Sequence, residues 1–389
     1  MKRVLLILMA LMLLCGSAFA DTIVNPTENR GITATAVSVN LLDDPDISPT
    51  TGLRLSELEI PMGAAGLAVT GRYMPMLVQI CNPVDDQTRA AGTRNRAPWG
   101  VQYADIIYEL QLHKNGETRM SALYSDILPE ATGPIRSARM GHAWLREEWD
   151  CGFMFYGQQE YKQTNVLDEF RALGAATKGV LFPGTAGSSK PWKQFYERDY
   201  KPKSLGAKLQ QPNDVTGNVA EISKLIPDDH TATNHTFKFA DQPYTGGDAA
   251  TEILVDWKRP GFNSKFTYDD ATGLYSRSVD SENKKKGYTQ WVELETKQPI
   301  TFSNVIVQWT PTVFFGNDAP VSYNVARDGY PGEGNAEIFM NGRHIAGYWK
   351  REGMNTRTVF YDENGQEIAF QRGKTMIVQL PLEKGCSYK

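Results

Sequence analysis

The 389-residue chain carries 41 lysines and arginines against 45 aspartates and glutamates, a formal net charge of −4 at pH 7. This mild acidity argues against nucleic acid as a partner, because phosphate backbones attract strongly basic surfaces. A hydrophobic share of 41% and an aromatic share of 11% exclude an intrinsically disordered chain. For a folded chain of this length, two domains are expected.

The first twenty residues have the pattern of a secretory signal peptide. A basic start precedes an apolar run at 4–14, and an Ala-x-Ala pattern ends at Ala20, which predicts cleavage after Ala20 and an extracytoplasmic protein. The run is shorter than the about 20 apolar residues that span a bilayer, so we expect no transmembrane segment in the mature chain. Leu14 stands directly before Cys15, where lipoprotein signals have a small residue, and this favours a free exported protein over lipid anchoring at Cys15.

Residues 21–73 are rich in threonine, proline, glycine and aspartate without a sustained period, which predicts an extended spacer. From 74 to 245, short apolar strands alternate with helical patterns, as in an α/β layered domain. Its predicted strands and helices follow one another along the chain: strands at 76–81, 103–109, 116–124 and 151–156, and helices at 140–149 and 166–173.

Residues 250–389 have the pattern of a β-rich domain. A strand-turn-strand pattern covers 268–275, and Asn-Gly hairpin turns stand at 341–342 and 364–365. Strong strands rich in β-branched residues are predicted at 303–309 and 374–380. The fold class expected is therefore α+β or α/β, with an amino-terminal α/β layered domain followed by a β-rich carboxy-terminal domain.

Neither the cysteines nor the histidines predict a metal site. Cys81, Cys151 and Cys386 are odd in number and widely spaced, which is unlike a disulfide framework or a zinc cluster. One disulfide with one free thiol stays open beside the favoured reading of three buried thiols. No metal-ligand spacing, Gly-x-Ser-x-Gly elbow or P-loop occurs, so we expect no metal and no cofactor. The histidines are His113, His142, His230, His235 and His344.

The most informative motif is Gly-Pro-Ile-Arg-Ser-Ala-Arg at 133–139, directly before the predicted helix. Free N–H groups at a helix N-terminus and the forked guanidinium groups of Arg136 and Arg139 both suit an anion. Arg119 begins the preceding strand and is a third candidate. Ser137 is a candidate helix cap and ligand.

Further candidates flank this motif. His142 follows Arg139 by three residues on one helical face. Glu109 ends the first strand and is a candidate general base or a partner of the arginines. Asp105 lies on the same strand face, about 13 Å away by the strand rise, so the two carboxylates make a poor catalytic pair. A structural ion network joining the arginines to Asp105, Glu109 or Glu117 is the alternative to an anion site.

These segments together resemble one protein family. The strand ending in Ile-Tyr-Glu at 104–109, the Thr-Arg start at 118–119 and the arginine motif at 133–139 look like the amino-terminal domain of the YerB-like proteins, classed as a domain of unknown function, number 3048. The resemblance continues through the carboxy-terminal half, over roughly 75–383. It implies an exported or lipid-anchored envelope protein, mostly of Gram-positive bacteria, without a settled activity.

Two departures from the family pattern bear on function. Family members carry an Ala-Pro-His-Asn run where this chain has Gln-Pro-Asn-Asp at 211–214, and a histidine where this chain has Tyr156. Both departures favour binding over proton transfer. We therefore expect a module that holds an anionic cell-wall ligand or an envelope protein partner. A looser similarity to the LytR-CpsA-Psr phosphotransferases supports the alternative, a phosphotransferase- or hydrolase-like enzyme at the same cleft. A third possibility is a structural scaffold for partners in wall synthesis.

Overall fold

The computed structural model describes residues 21–32, 44–83, 97–204, 206, 208–209, 211–232, 235–283, 287–316 and 319–389. The predicted signal peptide and Cys15 lie outside these residues. The described strands are, in chain order, β1 (Thr22–Ile23), β2 (Met76–Cys81), β3 (Ile106–Gln111), β4 (Thr118–Tyr124), β5 (Gly152–Phe155), β6 (Glu160–Tyr161), β7 (Thr164–Asn165), β8 (Leu181–Pro183), β9 (Tyr196–Glu197), β10 (Thr216–Gly217), β11 (Lys238–Ala240), β12 (Asp248–Ala249), β13 (Glu252–Asp256), β14 (Ser264–Asp269), β15 (Leu274–Asp280), β16 (Tyr288–Gln290), β17 (Thr301–Phe302), β18 (Asn304–Trp309), β19 (Thr312–Phe315), β20 (Ala319–Ser322), β21 (Ala326–Arg327), β22 (Tyr330–Pro331), β23 (Glu333–Met340), β24 (Arg343–Lys350), β25 (Val359–Tyr361), β26 (Ala369–Gln371), β27 (Thr375–Leu380) and β28 (Gly385–Tyr388).

Helices are fewer and shorter than strands. The described α-helices are α1 (Leu67–Thr70), α2 (Met140–Trp149), α3 (Val166–Ala172) and α4 (Val219–Ser223). Short 3-10 helices lie at Leu55–Glu57, Val101–Tyr103, Ala175–Thr177 and Pro191–Phe195. The protein is therefore mostly β-sheet, and α2, the longest described helix, lies at the point where the sequence predicted it.

A large mixed sheet forms the centre of the molecule, in the order β12-β24-β23-β18-β27-β3-β4-β2-β5-β8, with β25 beside β24. Strand β27 runs parallel to β3 on one side and to β18 on the other. The two predicted domains therefore contribute strands to one sheet. A layered α/β amino-terminal domain is not clearly shown, because β3 and β27 pair across the predicted boundary.

Different layers cover the two faces of the central sheet. One face packs on a second, antiparallel sheet in the order β1-β28-β13-β14-β15-β16, with β17 beside β15. The other face packs on α2 and α3. Helix α2 approaches β3 closely at Gly141, where an added Cβ would meet the Leu110 side chain at 3.1 Å. A buried ion pair of 3.3 Å between Glu148 of α2 and Arg351 ties this helix to the carboxy-terminal half.

The described parts of the predicted spacer at 21–73 pack on the folded body. Strand β1 adds to the edge of β28 in the second sheet. Ser48 and Thr51 are buried and donate hydrogen bonds to the two carboxylate oxygens of Asp126, at 2.7 and 2.8 Å. Two polar side chains of this segment thus satisfy a buried acid, which fixes the segment to the core.

Candidate functional site

Backbone hydrogen bonds on both sides hold the motif at 133–139 in place. The Arg136 N–H donates to the carbonyl of Gln79 in β2, at 2.9 Å, and the Tyr156 N–H donates to the carbonyl of Arg136, at 3.0 Å. The segment ends at Arg139, where α2 begins. The arginine side chains are therefore attached to a backbone fixed by the central sheet rather than to a free loop.

Arg119, Arg136 and Arg139 form a group that we call the arginine cluster. Arg119 is 4% exposed and donates from Nη1 to the carbonyl of Ser137, at 2.7 Å. Burial, reinforced by Arg136, lowers the pKa of Arg119 to about 10. Burial, with the charges of Arg119 and Arg136, lowers the pKa of Arg139 to about 9. Arg119 and Arg139 therefore remain cationic at pH 7, and each lies close enough to Arg136 for the two positive charges to repel.

Among the described residues, no carboxylate forms an ion pair with any member of the arginine cluster. Moreover, the Nε atoms of Arg119 and Arg136 are buried and have no hydrogen-bond partner there. Leaving a buried donor unpaired costs about 1–3 kcal/mol, and more when the group is charged. Such orphan donors on cationic groups indicate a place for an anion.

Glu109 is not a partner of these arginines, which corrects the prediction of an ion network. Its carboxylate accepts from Arg277 Nη2 at 3.2 Å, from Thr118 Oγ1 at 2.6 Å and from Asn82 Nδ2 at 3.2 Å. Side chains alternate along a strand, so Thr118 and Arg119 point to opposite faces of the sheet. Glu109 therefore faces the second sheet and Arg119 faces the helices. Glu117 pairs weakly with His113 and Arg259, both at 3.9 Å.

Asp105 lies in a separate buried cluster with Asp126 and Lys374. It accepts from the Ser125 hydroxyl at 2.7 Å and from the Asp126 N–H at 3.2 Å. Burial and the charge of Asp126 raise the pKa of Asp105 to about 8. Lys374 donates from Nζ to the carbonyls of Gln102 and Ala104, both at 2.5 Å. Burial lowers the pKa of Lys374 to about 8. The cluster anchors β27 to β3 and does not touch the arginines.

We predict that stability depends on pH through Asp105. The Asp105 carboxyl has a pKa of 3.8 in the unfolded chain and of about 8 in the folded chain. Its protonation therefore stabilises the fold fully below pH 3.8, and this stabilisation is lost as the pH rises to 8. The slope from this one proton is at most about 1.4 kcal/mol per pH unit, and Asp126, whose pKa is also raised by burial, adds to it. Urea unfolding at pH 5, 6 and 7 measures it, and Asp105→Asn should flatten it. An unchanged slope in Asp105→Asn would contradict the assignment.

Ser137 is not the helix cap that the sequence predicted, and His142 contacts the backbone of the arginine motif. The Ser137 hydroxyl donates to the carbonyl of Tyr156, at 3.2 Å, and does not cap α2. His142 accepts from the Arg139 N–H through Nδ1, at 3.1 Å. Burial, with the charges of Arg119 and Arg139, holds the pKa of His142 well below its usual range. A neutral imidazole can accept this bond, so His142 fixes the backbone of Arg139.

Two positions singled out separately in the sequence meet beside Arg136. Tyr156 donates its backbone N–H to Arg136, and Arg136 Nη1 donates to the carbonyl of Pro212, at 3.3 Å. The next residue, Asn213, is 8% exposed, and both polar atoms of its amide lack a hydrogen-bond partner among the described residues. The Tyr156 ring lies 5.2 Å from the guanidinium of Arg198. The two departures from the family pattern therefore lie at the arginine cluster.

Sequence reasoning missed Asn213 as a site residue, because an unpartnered amide is visible only once its surroundings are known. Cys81, which pairs with Arg119 across β2 and β4, was also missed. Burial raises the pKa of the Cys81 thiol, against the charges of Arg119 and Arg136, so it is protonated at pH 7.

Cys81, Cys151 and Cys386 are all free thiols. In the part of the chain that the structure describes, no group of three or more His, Cys, Asp or Glu residues is placed to hold a metal.

Two family profiles match the chain. Residues 85–211 match the amino-terminal domain described as "Protein of unknown function (DUF3048)", and residues 253–377 match the carboxy-terminal domain of the same description. The chain belongs to the DUF3048 family. The resemblance drawn from the arginine motif is thereby confirmed for both halves.

A curated protein and a solved structure are also similar to this chain. The chain is 24% identical over 291 residues to the Bacillus subtilis (strain 168) protein named "Putative lipoprotein YerB", covering 72% of this chain and 76% of the relative. It also matches the crystal structure of the YerB protein from Bacillus subtilis, with a TM-score of 0.62 and 19% identity, over 86% of this chain and 96% of the other. At that identity the likeness shows the fold alone. Within the described residues, no helix is long and apolar enough to cross a membrane.

Proposed function

We propose that this DUF3048 protein binds an anionic ligand of the cell envelope at the arginine cluster. The observation that carries the proposal is the pair of buried, unpartnered Nε atoms on Arg119 and Arg136. Guanidinium groups match phosphate and carboxylate oxygens in a bidentate manner. Three arginines close enough to repel one another favour an anion with several oxygens and more than one charge, such as a phosphate or pyrophosphate group.

Binding is favoured over catalysis by the position of the acids. Glu109 is held by Arg277 on the opposite sheet face, and Asp105 is held in the cluster with Asp126. A general base has to lie within hydrogen-bond reach of the group it deprotonates. His142 is committed to the backbone of Arg139 and the Cys81 thiol is protonated, so the described site presents cations and neutral polar groups. These groups hold a ligand without moving its protons.

An envelope location is supported by two independent features. The first twenty residues have the pattern of a signal peptide, and the relative from Bacillus subtilis is named as a lipoprotein. An anionic ligand or an acidic protein partner in that compartment would reach the arginine cluster from solvent through Arg136 and Arg139, both of which are half-buried.

Calorimetric titration with pyrophosphate tests the proposal. We expect saturable binding to the purified protein, weakened at least tenfold by Arg139→Ala, because one charge-assisted contact contributes about 1.5–3 kcal/mol. Arg171→Ala is the matched control, since Arg171 is an exposed arginine that pairs with Asp168 on α3. The affinity should also fall as the salt concentration rises. Absence of saturable binding, or equal losses in both variants, would refute the proposal.

A further inference from the structure

The outer edge of β24 is interrupted. Strand β12 pairs with the first two residues of β24 and β25 pairs with its last three, so residues 345–347 have no strand partner on that edge within the described chain. On this edge the Gly342 carbonyl accepts from the Ala250 N–H, at 2.8 Å. Backbone groups alternate in direction along an antiparallel strand, so the N–H and C=O of Ala346 also point outward. We call this place the edge notch.

A cavity of about 540 Å³ opens over the edge notch. It lies between the segment at 22–30 on one side, the turn at 362–364 on the other and Tyr244 to Asp248 along the rim. Ligand cavities in proteins usually have a volume of about 300–1,000 Å³. The space is thus sufficient for a few residues of another chain, while β12 and β25 at either end prevent a long strand from pairing.

The lining of the cavity is acidic. It includes Glu337, which is neutralised by Arg30 Nη2 at 2.5 Å and is hydrogen-bonded to His344 Nε2 at 2.7 Å. The other carboxylates of the lining outnumber the single arginine, and they belong to Glu28, Asp248, Asp362 and Glu363. The cavity therefore favours a cation, and the ring of Tyr244 in its wall adds a surface on which a cation can lie.

Groups of the protein itself hold Arg30. Its side chain is 8% exposed, and Nη1 donates to the carbonyls of Ala336 and Gly347, at 3.0 and 2.8 Å. Its Nε is buried and forms an ion pair of 3.6 Å with a carboxylate oxygen of Glu28. The charge of Arg30 is therefore balanced by Glu28 and Glu337, and it does not offset the carboxylates of Asp248, Asp362 and Glu363 in the lining.

From these features we infer that the edge notch binds a short cationic peptide segment. One amide unit of the peptide pairs with the N–H and C=O of Ala346. A lysine or arginine side chain of the peptide lies among the carboxylates of the lining. This is recognition by strand addition over a few residues, with specificity given by charge. The site lies on β24, whereas Arg119 of the arginine cluster lies on β4, and the two do not depend on each other.

A nuclear magnetic resonance titration of the purified protein tests the inference, with acetyl-Gly-Lys-Gly-amide as the probe. We expect a saturable shift of the Ala346 amide resonance and slower hydrogen exchange at that amide. Acetyl-Gly-norleucine-Gly-amide has the same backbone without the charge and should bind at least tenfold more weakly. Cadaverine has the charge without an amide and should leave the exchange of the Ala346 amide unchanged.

Variants that replace a glutamate with glutamine test whether the carboxylates of the lining bind the peptide, because the change removes the charge and keeps the shape of the side chain. Glu28→Gln combined with Glu363→Gln should weaken the lysine peptide at least fivefold, because both side chains line the cavity and both residues are exposed. Glu352→Gln is the matched control, since Glu352 is exposed, pairs with Lys350 at the end of the same strand and lies outside the cavity. No saturable shift at Ala346, equal binding of the norleucine peptide, or equal losses in the control would overturn the inference.

Discussion

Replacing Glu109 with glutamine should lower the free energy of unfolding by about 3 kcal/mol or more. Glu109 and Arg277 are both fully buried, and their ion pair joins the central sheet to the second sheet. Removing one charge leaves the other buried without a counter-charge, which costs more than the pair contributes. Urea unfolding of the variant measures this loss.

Two further variants make the Glu109 result specific. Glu109→Gln combined with Arg277→Met should recover most of the stability, because both buried charges are then absent. Glu117→Gln is the control, since Glu117 is partly exposed and its ion pairs are long. That change should cost about 0–1 kcal/mol. The pyrophosphate affinity of Glu109→Gln should equal that of the wild type. A lower affinity without lower stability would place Glu109 in the binding site after all.

The Arg119→Met variant should be more stable than the wild type without ligand, by about 1–2 kcal/mol. The lowered pKa of Arg119 reflects a buried charge that is poorly compensated, and methionine fills a similar space without a charge. The loss of the hydrogen bond to the Ser137 carbonyl offsets about 1 kcal/mol of this gain. The same variant should lose pyrophosphate binding. Urea unfolding gives the first quantity and calorimetry the second.

A structural role for Arg119 would give the opposite result. If Arg119 held the turn at 133–139 through the Ser137 carbonyl, Arg119→Met would be destabilised and its anion affinity would fall only as far as its fold was lost. Arg171→Met provides the baseline for replacing an arginine, because its side chain is largely exposed. A stability gain in Arg119→Met together with no change in Arg171→Met is the pattern of a site that gives up stability for binding.

Local patterns in the sequence predicted the local elements well. Helix α2 has the predicted bounds, and the Asn341-Gly342 turn joins β23 to β24 in register. Such elements depend on residues close together in the chain. The parallel pairing of β27 with β3 joins residues more than 260 positions apart, and no local pattern contains it. For this reason local patterns did not predict that strands from both halves of the chain pair in one sheet.

The arginines of the candidate site could be identified from the sequence, but the positions of the acidic residues relative to them could not. The spacing of Arg136 and Arg139 before a helix was sufficient to suggest an anion site. The assignment of Glu109 to that site failed because the face on which a strand residue lies is decided by its pairing partners. Asn213 could be found only from the structure, because a buried amide without a partner has no signature in the sequence.

The central claim is that the arginine cluster is an anion-binding site rather than a structural network. The most direct test is the free energy of unfolding of the wild type and of Arg119→Met, each measured with and without pyrophosphate. Binding to the folded state alone should stabilise the wild type by about 2.7 kcal/mol at a ligand concentration of 100 times Kd. We expect that gain in the wild type and none in Arg119→Met, which should start from the higher value. Equal gains in both proteins, or no gain in the wild type, would contradict the claim.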